Sequence, residues 1–375
     1  MTIPENISRR IRAIRYIGIL GVVFCHAVQG PYFFLNGNFF LSSEYTLDDK
    51  FFGFFHSLVI YGLSYGAVPM FFVFSAYLQF LKPRGYGETV SRRVRSLLLP
   101  MALWSILNIA TLFILKYGAG ITFLPELLSS TEIHRWLIAL FGNYSRAWIR
   151  GTHCPGIMYQ FWFIRDLFIL TLFSPAIGFL MREKKRGIIS LVVFGTILGA
   201  GYRPVIIGGD SLFYFSLGAF FALHRINFFS FLDRHWHWIF TLALSCAAVT
   251  VMYIRYNGDP DPDAPMWVQF SSTLLLMKFS KVIAARERAF KIADALDGQA
   301  FFLYCAHAPC IMLLLAYIAY WFLPDTASDT LVVGTVFTAG VVDAALCTFA
   351  GISLKRFAPS VFALATGGRK TVKKH

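Results

Sequence analysis

Charged side chains are scarce in this sequence of 375 residues. Asp, Glu, Lys and Arg make up 14% of it, whereas soluble domains contain about 25%. The chain instead has 57% hydrophobic residues, and 40 of its residues are Phe. This composition excludes an ordinary soluble domain. It is typical of a protein that faces lipid and carries aromatic side chains at the membrane interfaces.

Cysteine is also rare, with six residues in the whole chain. Cys154 lies in a long connection, and the other five lie in apolar segments: Cys25, Cys246, Cys305, Cys310 and Cys347. Thiols in such segments act most simply as small hydrophobic side chains. No disulfide framework can therefore stabilise the fold.

Ten apolar segments have the length and composition of spanning helices, which need about 20 mostly apolar residues. They are residues 14–35, 52–81, 97–115, 157–181, 188–202, 205–223, 237–254, 266–284, 300–323 and 331–354. We therefore predict an all-α integral membrane protein. Its fold would be a bundle of about ten transmembrane helices that forms a single domain over residues 1–375.

The distribution of basic residues orients this bundle. If the N-terminus is cytoplasmic, 26 of the 34 Lys and Arg residues fall in cytoplasmic segments, as the positive-inside rule requires. Outer connections are acidic instead, as in GDPDPDAP (258–265). Both termini are then cytoplasmic. The net charge of +14 is accordingly a topology signal, and nucleic acid is not an expected partner.

The first span carries two ionisable side chains, Arg15 and His26. Eleven residues make about three full helical turns, so both side chains share one face, roughly 16 Å apart along the axis. A snorkelling Arg and a His bonded to a neighbouring helix would explain them structurally. Intramembrane ionisable groups also mark functional sites, and imidazole is the usual general base near neutral pH. Both interpretations stay open on spacing alone.

Other spans contain further polar side chains, namely Ser75 and Tyr77 in the second, Trp162, Arg165 and Asp166 in the fourth, Tyr304 and His307 in the ninth, and Asp343 in the tenth. On the residues alone, packing by small side chains is the favoured explanation for the second span. For Arg165 and Asp166, a structural ion pair and a substrate contact are both possible. Asp343 stands alone in its span and needs a buried partner or a proton.

Two outer segments are candidates for binding a ligand outside the membrane. The connection 116–156 is unusually long and rich in aromatic residues, and loops of that length are often functional. We expect it to form an interfacial helix over an outer cavity. Together with GPYFFLNGNFF (30–40), it could stack aromatic rings on sugars, although interfacial aromatic residues alone explain the same pattern.

These motifs resemble those of the membrane acyltransferase family 3. Arg15 and His26 resemble the family's Arg/Lys-x10-His signature, and YGAVPMFFVFSAY (65–77) is similar to its Gly-x-x-Val-Pro-x-Phe-Phe-x-x-Ser-Gly-Tyr stretch, with Ala76 in place of the usual Gly. Four further segments resemble elements of the family in the same chain order: RRVRSLLLPMALWS (92–105), FWFIRDLFIL (161–170), FYFSLGAFF (213–221) and FFLYCAHAP (301–309).

The resemblance implies a multi-pass O-acyltransferase of the inner membrane. It would move an acetyl or succinyl group from cytoplasmic acyl-CoA to a hydroxyl of a cell-envelope or exported polysaccharide. Acetyl-CoA or succinyl-CoA would be a substrate, with no permanently bound cofactor and no metal. The implied partners are a glycan or lipid-linked oligosaccharide acceptor, the lipid bilayer and the polysaccharide-assembly machinery.

The resemblance also implies roles for individual residues. His26 would act as the base or as a transient acyl carrier, and Arg15 would face the donor. The candidates for donor or acyl binding are Ser75, Tyr77, Arg92, Arg93, Arg95, Tyr304 and His307. Those for acceptor-side or structural charge are Trp162, Arg165 and Asp166. The positive-inside bias explains the Arg cluster at 92–95 equally well.

Two other classes of protein remain as alternatives. A carrier or flippase for a small anion or a lipid-linked sugar would use intramembrane charges as an ion or proton relay. The sequence shows no paired Gly/Pro-broken helices in matching halves, a feature of many transporters. The third class is a passive scaffold in a polysaccharide-assembly complex.

Overall fold

A computed structural model describes residues 4–29, 34–35, 38–39, 64–82, 84–120, 129, 131, 133, 158–200, 207–257, 266–315, 318 and 329–368. These residues are almost entirely helical. The exception among them is an antiparallel pair of two-residue strands, β1 (Phe34–Leu35) and β2 (Asn38–Phe39). The all-α fold class is thereby confirmed. Most of the connection 116–156 lies outside the described residues.

The described helices follow one another in chain order as α1 (Glu5–Gln29), α2 (Tyr65–Leu81), α3 (Tyr86–Arg93), α4 (Leu99–Ala119), α5 (Trp162–Leu172), α6 (Ser174–Arg182), α7 (Lys184–Gly199), α8 (Gly209–Leu223), α9 (Phe228–Arg234), α10 (Trp236–Asn257), α11 (Met266–Ala285), α12 (Glu287–Asp297), α13 (Ala300–Ala306), α14 (Asp329–Phe357) and α15 (Pro359–Ala365). Val94–Leu98 is π-helical and Tyr159–Phe161 is a 3-10 turn. His307–Ile311 contains a kink at Ala308.

The apolar helices fit a membrane protein. By length and composition, Tyr86–Ala119 and Gly334–Phe357 can each cross a membrane. Three bent helix pairs raise the total among the described residues to five at most. One of them is α5 with α6, bent by 66°. Pro175 lies in the first turn of α6, where proline is tolerated in a helix. The ten-span arrangement with cytoplasmic termini stays a prediction.

The chain forms two compact units. The first combines Met1–Val22, Ser57–Arg93 and Asp166–Ala300, and the second combines Val23–His56, Val94–Arg165 and Phe301–His375.

In the first unit, α2 packs against both α8 and α11. Glycines allow these close approaches. A Cβ at Gly66 would lie 2.5 Å from the carbonyl carbon of Ser272 in α11, and one at Gly218 in α8 would lie 2.3 Å from the carbonyl oxygen of Val73. Small residues let helix backbones approach in this way when apolar side chains supply little driving force in lipid.

In the second unit, the C-terminal part of α1 packs on α14. The rings of Phe24 and Phe337 stack with centroids 5.3 Å apart, and Gly340 faces Phe24 and Ala27. Helix α15 is bonded to α4, because the indole Nε1–H of Trp104 donates to the carbonyl of Ala365 at 3.0 Å. Side-chain packing and single hydrogen bonds thus join helices that are distant in sequence.

We expect Gly66→Ala to destabilise the protein, because the added methyl group meets the backbone of α11 rather than a flexible side chain. Overpacking of this kind costs about 1–3 kcal/mol, so the melting temperature in detergent should fall. Gly118→Ala is the control, since nothing lies within 4 Å of a Cβ there. A Gly66→Ala protein as stable as Gly118→Ala would contradict the close approach of α2 and α11.

Candidate active site

Helix α1 carries both residues of the sequence signature. It runs unbroken from Glu5 to Gln29, so Arg15 and His26 lie on one helix, as their spacing predicts. Arg15 belongs to the first unit and His26 to the second.

Arg15 is bound by Asp297, the last residue of α12. Its Nε donates to Oδ1 of Asp297 at 2.6 Å, and its Nη2 donates to Oδ2. This is a two-bond, charge-assisted contact between planar groups, the strongest type of side-chain hydrogen bonding. Sequence reasoning missed Asp297, because 282 positions separate the two residues.

Three more arginines near the start of α1 also contact carboxylates of the first unit. Arg9 pairs with Glu287 at 2.5 Å, Arg12 with Asp294 at 2.6 Å and Arg10 with Asp233 at 3.0 Å. The predicted cytoplasmic end of α1 is therefore fixed to α12 and α9 by ion pairs.

Asp233 is the centre of a small charge cluster. Besides the bond from Arg10, it accepts from Lys278 at 2.9 Å and pairs with Lys281 at 3.2 Å. Burial raises the pKa of Asp233, but the bonds from the lysines and the charge of Arg10 outweigh this effect and hold that pKa below its ordinary value. The carboxylate therefore stays ionised and holds three cations together.

His26 pairs with a second histidine, His307. Nδ1 of His26 lies 2.8 Å from Nε2 of His307, and the two ring planes are 7° apart. The His307 side chain is completely buried, whereas His26 is half-buried. Sequence analysis had singled out both residues but had not paired them.

The partners of His307 fix the direction of this hydrogen bond. Nδ1 of His307 lies 3.0 Å from the carbonyl oxygen of Leu303, which can only accept, so Nδ1 carries the proton. In a neutral ring Nε2 is then the acceptor, and Nδ1 of His26 must donate to it. With both rings neutral, Nε2 is the acceptor nitrogen of His26, and any group bonded there must be a donor.

A break in the helix follows His307 directly. Ala308 is extended, with φ −140° and ψ 157°, the conformation favoured for a residue before proline. Its carbonyl accepts from Nε2 of Gln160 at 2.6 Å, and the N–H of Cys310 contacts Oδ1 of Asn108 at 3.4 Å. Side chains thus replace helical hydrogen bonds. Pro309 was the available signal for the break, but nothing indicated its partners.

Tyr304 and Gln160 complete the polar surroundings of this break. The Tyr304 hydroxyl donates to the backbone carbonyl of Gln160. Oε1 of Gln160 is buried and has no hydrogen-bond partner within the described residues. Tyr304 therefore positions the 3-10 turn that carries Gln160.

The other predicted donor-binding residues lie on α2, α3 and the π-helical stretch. Tyr77 is buried and meets the ring of Phe228 edge-on, with centroids 5.2 Å apart, and Ser75 is half-buried. The structure thus shows Tyr77 in core packing.

The arginines at 92–95 have different surroundings. Arg92 is exposed and lies 3.7 Å from Glu88, whereas Arg93 is half-buried and donates to Oε1 of Gln79 at 3.1 Å. Arg95 is exposed and belongs to the second unit. Glu88 also pairs with Arg84 at 3.5 Å. Within the described stretch 84–93, three cations, Arg84, Arg92 and Arg93, stand against one carboxylate.

Trp162, Arg165 and Asp166 all lie in α5. Asp166 is buried, and its Oδ2 accepts from the backbone N–H of Gly208 at 2.9 Å and from the Ser211 hydroxyl at 2.8 Å. It therefore satisfies donors at the beginning of α8, where a helix has unpaired N–H groups. Both of these donors are neutral, so these bonds are structural but are not the ion pair that the sequence left open.

Asp343 is also buried within its helix, α14. Its Oδ1 accepts from the Cys347 thiol at 3.1 Å, one turn further along, and its Oδ2 has no partner among the described residues. Within the same part of the chain, no group of three or more His, Cys, Asp or Glu side chains is arranged to hold a metal ion.

Comparison with known proteins relates this arrangement to a family. Residues 9–348 match the family described as acyltransferase domain, acyltransferase family 3. The succinoglycan biosynthesis protein ExoH of Rhizobium meliloti (strain 1021) is 26% identical over 387 aligned residues, which cover 98% of this chain and 94% of that protein. No solved structure matches the chain. Since the family match covers most of the sequence, the chain belongs to acyltransferase family 3.

Proposed function

We propose that this protein is a multi-pass O-acyltransferase of the inner membrane. It transfers an acetyl or succinyl group from cytoplasmic acyl-CoA to a hydroxyl of a cell-envelope or exported polysaccharide. Family membership supports acyl transfer. The similarity to a protein named for succinoglycan biosynthesis supports a glycan acceptor, and the positive-inside distribution supports a donor site on the cytoplasmic side.

The His26–His307 pair is the observation that carries the mechanism. His307 is anchored by a backbone carbonyl and accepts from Nδ1 of His26, which leaves Nε2 as the basic atom of His26. This is how a histidine base is oriented in catalytic triads, where a third group holds the ring in one tautomer. His307 is thus a positioning residue for His26.

The reaction follows from this geometry. Nε2 of His26 takes the proton of the acceptor hydroxyl while the hydroxyl oxygen forms a bond to the carbonyl carbon of the thioester. The carbon–sulfur bond then breaks, and the CoA thiolate leaves with the proton that His26 returns. The products are an oxygen ester and CoA thiol, and the transferred acyl group is the only change in the acceptor. General base catalysis of this type contributes about 10²–10⁴-fold in rate.

The remaining candidate residues divide between the two substrates. The surplus cations Arg84, Arg92 and Arg93 suit the phosphates of CoA, for which arginine offers bidentate contacts. Trp162 and Arg165 lie on the predicted outer half of their span and suit the acceptor. The acceptor can be a lipid-linked oligosaccharide, delivered by the polysaccharide-assembly machinery. A carrier or flippase is not favoured, because the family match is to an acyltransferase.

Purified full-length protein should release CoA thiol from acetyl-CoA or succinyl-CoA when a polysaccharide acceptor is present. We expect His26→Ala to lower this rate at least 100-fold, because the base is lost. His237→Ala is the control, since that histidine is exposed on α10. Mass analysis of the acceptor identifies the acyl group. Thiol release at the wild-type rate by His26→Ala would overturn its assignment as the base.

Two substitutions of His307 separate positioning from folding. Gln offers a side-chain oxygen that can accept from Nδ1 of His26, and Ala offers none. We expect His307→Ala to lower kcat about tenfold or more, with His307→Gln retaining more of the rate and both proteins melting at similar temperatures. Equal kcat values for the two variants would contradict the positioning role. A stoichiometric burst of thiol without acceptor would instead assign His26 as an acyl carrier.

A further inference from the structure

We propose that Asp297 is a positioning residue that sets which part of the acyl donor Arg15 binds. Held by Asp297, Arg15 donates hydrogen bonds to the uncharged carbonyl groups of the pantetheine–thioester arm and does not bind the phosphates. This inference rests on the proposed function, because it specifies how the acyl-CoA donor is held.

The geometry of the pair leaves one side of the guanidinium available. Asp297 accepts one hydrogen bond from Nε and one from Nη2 of Arg15. A guanidinium group has five N–H donors in all. The Asp297 side chain is only 10% exposed, whereas that of Arg15 is 39% exposed. The carboxylate is thus buried while the guanidinium stays partly exposed. The donors of Nη1 make no bond to Asp297, so they can serve a ligand.

The neighbouring ion pairs of α1 differ from Arg15–Asp297 in the number of bonds to the carboxylate and in the exposure of the arginine. Arg9 and Arg12 each make a single contact to their carboxylates, and both guanidinium groups also lie over the ring of Phe290, at 3.9 and 5.1 Å. Arg12 is less exposed than Arg15, at 26%. Arg9 and Arg12 therefore hold α1 against α12 through both a carboxylate and an aromatic ring. The bonds of Arg15 to Asp297 come from Nε and Nη2 alone.

Charge balance decides which ligand suits Arg15. The carboxylate of Asp297 cancels the charge of Arg15, so the pair offers directed N–H donors without a net attraction for anions. Phosphate groups favour sites with surplus positive charge. Such a surplus exists in the described stretch 84–93, where Arg84, Arg92 and Arg93 accompany a single carboxylate, Glu88. A neutral donor site matches amide and thioester carbonyls instead.

Acyl-pantetheine tests this assignment, because it keeps the thioester and amides of acyl-CoA and lacks its phosphates. We expect Asp297→Asn and Arg15→Lys to raise KM about tenfold for both donors, the effect of one charge-assisted hydrogen bond, with kcat changed less. Asp297→Glu should restore part of the affinity. Arg92→Gln with Arg93→Gln should raise KM for acyl-CoA alone.

Asp294→Asn is the matched control, since it breaks the adjacent ion pair between the same two helices. We expect it to change KM by less than twofold for either donor. If Asp297→Asn raises KM no more than Asp294→Asn does, the Arg15–Asp297 pair is merely structural. If Asp297→Asn raises KM for acyl-CoA but not for acyl-pantetheine, Arg15 binds phosphate. Either result would overturn the proposal.

Binding measured without turnover keeps this test separate from the proposed function. At equal concentration, acyl-pantetheine should raise the melting temperature of the wild type and of Asp294→Asn by similar amounts, and that of Asp297→Asn by clearly less. If the wild type releases no thiol from either donor, the proposed transferase activity fails, and the thermal shifts still decide whether the Arg15–Asp297 pair binds the pantetheine arm. An equal shift in all three proteins would overturn the inference.

Discussion

Water is absent from the hydrocarbon interior of a membrane, so each polar group buried there needs its partner within the protein. Much of this structure follows from that constraint. Asp166 satisfies the first donors of α8, and Gln160 satisfies the carbonyl left open where the helix breaks at Ala308. The pair of His26 and His307 follows the same rule. Polar side chains here hold the chain in place and, at the histidine pair, fix the orientation of two imidazole rings.

The four arginines of α1 show how one charge pattern serves two purposes. Their number near the N-terminus agrees with the positive-inside rule, yet each is also bound to a particular carboxylate of the first unit. Exposed ion pairs contribute little to stability. The most exposed of the four pairs, Arg9 with Glu287, therefore serves mainly to orient α1. The better buried carboxylates, Asp294 and Asp297, depend more strongly on their arginines, because an unpaired buried charge is costly.

Sequence reasoning recovered the features that are encoded locally. Helical periodicity and hydropathy predict the all-α class, and the spacing of Arg15 and His26 places them on one helix. The motifs in chain order predict the family. Hydropathy did not predict where helices bend: residues 157–181 read as one span, whereas the structure divides them between Leu172 and Ser174.

Contacts between distant segments were beyond what spacing can show. Asp297 is 282 positions from Arg15, and Gln160 is 148 positions from Ala308. Neither residue belongs to a motif, so only the folded chain reveals them. Tyr77 illustrates the opposite case. It lies in a motif that resembles the family's, yet its side chain packs on Phe228 in the core.

The acceptor that holds His307 in its tautomer is the main-chain oxygen of residue 303. A main-chain oxygen is present whatever side chain occupies the position, so substitutions at Leu303 that keep the helix will keep the orientation of both imidazole rings. Relatives can therefore diverge at this position without losing the arrangement. An invariant residue will not mark it in a sequence comparison, even though the orientation of both rings depends on it.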